Sequence, residues 1–260
     1  MHWFKKQRVR YTLHHHSINF GIWEKTLLEN IIFEGLTSVE KAHLRELATL
    51  FLQRKKLIGV QGLVLNTDMA VCIAAQACLP ILKLGIDFYD GWIEVLIYPG
   101  LFRVKREKTN AAGLVEQEEQ VLSGEAWSKG PVIIAWEEVS AELANSARGH
   151  SVLIHELAHK FDMLNGTANG MPPLHRDMER AGWTSALSNA YDSLSRDLSR
   201  HHKTHINAYA ATSPAEFFAV VSEYFFVAPA TLQTHYPEVY KQMVLFYRQD
   251  PVQRRIIKPH

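Results

Sequence analysis

Cysteine is nearly missing from this chain: Cys72 and Cys78 are the only two in 260 residues, and no C-x-x-C pair exists. That excludes a disulfide scaffold and cysteine-based zinc fingers. Both cysteines fall in one apolar stretch, six residues apart, a spacing that does not make two side chains face each other on a helix. They read as reduced core thiols. Long apolar runs are missing too. The longest, Met69 to Leu82, is interrupted by Gln76 and Pro80; it is too short for a bilayer and reads as a buried helix. The basic start, Met1-His2-Trp3-Phe4-Lys5-Lys6-Gln7-Arg8, has no apolar stretch behind it, which argues against a signal peptide. These absences predict a soluble, cytoplasmic protein without membrane contact. Charge of one sign is also lacking, with 28 Lys and Arg against 27 Asp and Glu and a net charge of +1. Such a chain has no overall field to hold it on nucleic acid or anionic lipid, so direct DNA binding is not expected.

What remains is ordinary globular material, 47% apolar and 21% charged, long enough for one large domain. We read 1–260 as that single domain. Residues 1–20, with His14-His15-His16, and residues 251–260 read as mobile tails. Residues 24–57 carry helical periodicity in Leu27, Leu28, Ile31 and Ile32, then in Leu44, Leu47, Leu50 and Phe51, with a helix start at Thr37-Ser38. Thr67-Asp68 is expected to cap the apolar helix that follows. Two strand-like runs come next, Trp92 to Tyr98 and Val132 to Trp136. Between them, the charged, Gln/Glu-rich segment 105–124 reads as a loop or exposed hairpin. Ser151 to Met163 is helical, 165–173 is a loop, and helices follow over 175–200, 214–226 and 229–248. Helices, then strands, then helices is an α+β pattern.

Chemistry enters at His155-Glu156-Leu157-Ala158-His159. A four-residue spacing puts two imidazoles on one helix face, close enough to share an ion. Zinc takes imidazole nitrogen, and a catalytic site uses three protein ligands plus a water. Glu156 lies about 100° round the helix from His155, placed to reach the attacking water rather than the metal. Val152, Leu153, Ile154, Leu157, Ala158 and Phe161 supply apolar flanks. They would bury the two histidines, and buried histidines at ligand spacing are hard to explain without an ion.

The third ligand is less plain. Asp162 and Asn165 stand where a metzincin needs Gly and His, so that class is excluded. Glu179 lies at a thermolysin-like distance but lacks that class's surrounding residues, and reads as a solvated helix face. Glu216 and Glu223 lie seven residues apart in an apolar helix opened by Ser213-Pro214. Glu216 also occupies the capping-box position of its own helix. The residues alone favour Glu216 over Glu223 without closing the choice.

The stretch His155 to Asp162, with Tyr209 and Ser213-Pro214-Ala215-Glu216-Phe217-Phe218-Ala219, resembles the Mlc titration factor A family of bacterial zinc peptidases. So do Gly124-Glu125-Ala126-Trp127 and Gly130-Pro131-Val132-Ile133-Ile134-Ala135-Trp136. The resemblance runs from about residue 20 to residue 250. The catalytic core is also similar to the metallopeptidase domain of anthrax lethal factor. The resemblance implies a zincin-like fold: an N-terminal helical part, a small mixed sheet and an active-site helix bearing the H-E-x-x-H motif. It implies one zinc ion per chain on His155, His159 and Glu216, with Glu156 as general base and Tyr209 as hydrogen-bond donor to the oxyanion. Asp162 would accept a hydrogen bond from a ligand histidine. The resemblance further implies an aminopeptidase acting on short peptides, and a partner, the glucose-responsive repressor Mlc, whose removal from DNA raises expression of the glucose phosphotransferase system. Strand addition along Val132 to Trp136 would align a peptide substrate. The rival reading is an anti-repressor whose work is binding and whose zinc site is structural or vestigial.

Overall fold

The structure, a computed structural model, describes residues 2–100, 103–109, 115–121, 130–144 and 149–256. Where a mobile tail was expected, His2–His15 form helix α1. Val9 and Leu13, four apart and so on one face, pack against the core, and Ile18 behind them is buried. The polar composition of this segment had hidden a narrow apolar stripe. The C-terminal segment is likewise helical over Pro251–Ile256. Arg254 donates to the carbonyl of Ile32, and Arg255 to those of Phe226 and Val227, so the segment is tied down by charge-assisted bonds. Residues 257–260, the rest of that expected tail, lie outside the described residues.

Helix α2, Phe20–Leu28, is capped by Asn19. A 3-10 turn over Ile31–Phe33 leads to α3, Ser38–Arg54, which Thr37 and Glu40 open with a reciprocal capping box. The helical reading of 24–57 runs too far, because Lys56–Gly59 form strand β1. Four residues are too few to show a strand period. They are held extended by pairing with a strand far along the chain. Helix α4, Thr67–Cys78, is capped by Asn66, one residue before the expected pair. Both cysteines on it are free and buried.

Strand β2, Glu94–Tyr98, is central, with β1 on one side and β5, Val132–Ala135, on the other, and both pairings are parallel. Arg103–Thr109 and Val115–Val121 are β3 and β4, an antiparallel hairpin forming its own two-stranded sheet. The three-stranded sheet is therefore parallel rather than mixed. The chain between β1 and β2 crosses over through α4, as same-direction strands require. Gly124 to Trp127 lie outside the described residues. Strand β5 runs straight into α5, Trp136–Ala144.

The remaining helices are α6, Val152–Asp162; α7, Arg180–Ser199; α8, Pro214–Val227; α9, Pro229–His235; and α10, Pro237–Tyr247. No helix among the described residues is long and apolar enough to cross a membrane. Every residue of α6 is buried, and α6 packs along α8. Phe161 of α6 stacks on Tyr89 with centroids 5.5 Å apart, and Phe225 of α8 stacks on Tyr247 at 5.4 Å. Truncating a buried ring such as Phe161 to Ala costs about 3–5 kcal/mol. Two polar-studded helices are thus fixed side by side in an aromatic core, and the site lies between them.

Candidate active site

Ser151 caps α6, its Oγ accepting from the backbone N–H of Ile154. The 3.6-residue period then turns His155 and His159 to one face, where their rings meet edge to face with centroids 4.8 Å apart. Ser213 caps α8, accepting from the Glu216 N–H at 3.2 Å. The side chain of Glu216 reaches across to the histidines. Its Oε2 is 3.0 Å from Nε2 of His155 and 3.4 Å from Nε2 of His159, and the two nitrogens are 3.2 Å apart. Three acceptor atoms this close repel unless a proton or a cation lies among them. A tetrahedral zinc with ligands at about 2.0–2.1 Å separates its ligand atoms by about 3.3 Å, so the spacing fits such an ion closely. Among the described residues, these three form the one cluster of His, Cys, Asp or Glu with its ligand atoms within 4.8 Å of one another.

The electrostatics agree. Burial pulls His155 down, but the nearby carboxylates of Glu216 and Glu223 outweigh it and raise this group to about 10. Burial pushes Glu216 up, yet the facing rings of His155 and His159 win and hold its carboxylate at about 2. The cluster draws positive charge strongly.

Glu156 is 0% exposed, and neither carboxylate oxygen has a hydrogen-bond partner among the described residues. Burial raises its pKa to about 7, against the opposing pull of His155 and His159. Leaving a buried carboxylate unpaired costs stability. A group kept so, with its pKa near neutrality, suits proton transfer. Tyr209 sits on a 3-10 turn, Ala208–Ala211, capped by Asn207. Its ring centroid is 6.1 Å from that of His155, and it is 42% exposed. Together with the partly exposed Glu216, it marks the open side of the site.

The other candidates are placed elsewhere. Glu179 is exposed at the start of α7 and is not part of the cluster of His155, His159 and Glu216. Asp162 makes no hydrogen bond to His155 or His159 among the described residues, although the charge of His159 acts on it. Its Oδ2 accepts from the N–H groups of Asn169 and Gly170 at 2.8 and 2.7 Å, holding the loop after α6. Gly170 has φ +81° and sits so close to the Pro214 carbonyl that a Cβ would lie 2.5 Å from it. Glu223, weighed as a ligand, lies behind His155: its Oε1 is 2.7 Å from Nδ1 of that ring. This contact, and His150 beside it, escaped sequence reading. The available signal was a carboxylate two turns from Glu216 in an otherwise apolar helix, which burial obliges to find donors.

The helix-borne His-Glu-His set with a carboxylate from a second helix defines a metallopeptidase arrangement, and comparison with known proteins agrees. The chain belongs to the glucose-regulated metallo-peptidase M90 family, whose model matches residues 2–248. Among curated relatives, it is 43% identical over 240 residues to Mlc titration factor A of Salmonella arizonae, covering 90% of this chain and 92% of the relative. It is 44% identical over 239 residues to the protein of that name from Salmonella choleraesuis, covering 89% and 87%. With that of Salmonella schwarzengrund it shares 45% identity over 227 residues, covering 85% and 83%.

Proposed function

We propose that this chain is a zinc-dependent aminopeptidase of short peptides, in a single zincin-like domain, that also binds an Mlc-type repressor in the cytoplasm. The observation that carries the peptidase reading is the convergence of His155, His159 and Glu216 within 4.8 Å, beside a buried Glu156 that has no hydrogen-bond partner among the described residues. Two imidazoles and one carboxylate suit zinc among the divalent metals. When bound there, the ion acidifies a water and polarises the scissile carbonyl. Glu156 accepts a proton from the attacking water and returns it to the departing amine. Tyr209, leaning over His155 from outside α8, donates to the oxygen on which negative charge develops. Strand β5, at the edge of its sheet among the described residues, offers backbone for a peptide to pair with.

Repressor binding rests on the relatives, which carry the name Mlc titration factor A and match nearly the whole chain. They also favour the second reading, in which binding is the protein's main work. The deciding experiment is metal content of the purified wild type beside Glu216→Ala, with hydrolysis of aminoacyl-anilides followed in parallel. About one zinc per chain, lost together with activity in the variant, is expected. Full zinc retention in Glu216→Ala would sink the ligand set, and no zinc in the wild type after reconstitution would leave the binding reading alone.

A further inference from the structure

We infer that Glu223 and His150 are a positioning pair that orients His155 toward the metal and locks the two ligand-bearing helices in register. The inference rests on the metallopeptidase reading above and deepens it. Glu223 is 2% exposed, on α8 two turns beyond Glu216. Its two oxygens take three donors. Oε2 accepts from Nδ1 of His150 at 2.5 Å and from the N–H of Ser151 at 2.8 Å. Oε1 accepts from Nδ1 of His155 at 2.7 Å. Once a cation takes the place of the Nε2 proton, this network keeps the remaining ring proton of His155 on Nδ1 and leaves the lone pair of Nε2 facing Glu216 and His159.

A steric contact reinforces the bond. Gly149 has φ +68° and lies so close under the ring of Tyr224 that a Cβ would be 2.6 Å from it. The three residues that lead into α6, Gly149 to Ser151, are therefore clamped to Glu223 and Tyr224 of α8. The helix that supplies two nitrogens cannot slide against the helix that supplies the oxygen. His150 completes the clamp from the surface, its side chain 45% exposed.

An amide in place of Glu223 has one accepting oxygen for three donors. Where its NH2 faces His155, it donates to Nδ1, moves the ring proton to Nε2 and so blocks the ligating nitrogen. Partners that orient a metal-bound histidine are worth about 10- to 100-fold in metal affinity.

The test uses the full chain and Zn2+ alone, titrated against a chromophoric chelator, with 15N spectra of the histidines reporting the His155 tautomer. Glu223→Gln is expected to bind zinc about 10- to 100-fold more weakly. His150→Ala should lose less, and His150→Asn, whose amide can stand in for Nδ1, should recover most of that loss. Recovery by Asn separates orientation from mere packing. The His150 variants lie at the exposed end and decide the matter if Glu223→Gln fails to fold. Wild-type affinity in His150→Ala and in a folded Glu223→Gln would overturn the pair's role alone. Failure of the wild type to take up zinc would overturn the metallopeptidase reading and the pair's role with it.

Discussion

The Nζ of Lys160 donates to the carbonyl oxygen of Gly130 at 2.8 Å, joining the helix of His155 and His159 to the residues that open β5. Lys160 is 3% exposed, and burial lowers its pKa to about 8. A buried ammonium spent on a backbone carbonyl ties the helix of His155 and His159 to the outer strand. Lys160→Met keeps the apolar stem and removes the bond. KM for a peptide substrate is expected to rise about threefold to tenfold, the worth of one such bond, with zinc content and kcat little changed. Steady-state kinetics on the zinc-loaded variant check this, and an unchanged KM would remove β5 from substrate alignment.

Glu156 is adjacent to His155 yet makes no hydrogen bond among the described residues. Glu156→Gln removes the proton acceptor at constant shape. Peptidase activity should fall about 100- to 10,000-fold while zinc stays bound. Repressor binding, followed by mobility shift of the repressor–DNA complex, should persist. Loss of both would mean that the two activities are not separable.

Tyr209 stands with its ring centroid 6.1 Å from that of His155, at the rim of the candidate metal cluster. Tyr209→Phe should lower kcat about 100- to 1,000-fold, the usual effect of losing one oxyanion donor, with zinc content intact. A variant with wild-type kcat would return Tyr209 to a packing role.

Glu142 on α5 offers a test of stability against pH. Its Oε1 accepts from the N–H of Val152 at 2.7 Å, while its Oε2 is buried without a partner among the described residues. Burial raises its pKa to about 8. Unfolded, the group loses its proton near 4.5. Between those values the unfolded chain holds fewer protons than the folded one, so this residue's contribution to stability is greatest below the lower value and falls as pH rises to the upper. Glu142→Gln can still accept from Val152. The variant should melt above the wild type at pH 8, by about 2–4 °C for each kcal/mol relieved, and the gap should close toward pH 4.5. Scanning calorimetry across that range would show a gap independent of pH if the carboxyl were not the cause.

Much of the local structure was legible because its signals are local. Thr37 and Glu40 announce α3, Ser213 and Pro214 announce α8, and the spacing of His155 and His159 places both on one face of α6. Strand β1 was not legible, since Lys56–Gly59 are extended only through their pairing with β2. Helix α1 was missed because its apolar contacts with the core, Val9 and Leu13 among the described side chains, are sparse along a polar segment.

The choice among Glu179, Glu216 and Glu223 shows the same division. By itself, the sequence determined that two histidines and a glutamate share one buried helix, because a residue's face on a helix follows from spacing alone. It could not determine which distant carboxylate completes the set. Glu216 and Glu223 sit on one side of the same helix, and only the packing of α6 along α8 sends one to the Nε2 atoms and the other to Nδ1 of His155. That difference of two helical turns depends on how aromatic side chains from the whole chain fill the space between the helices, and no local pattern encodes it.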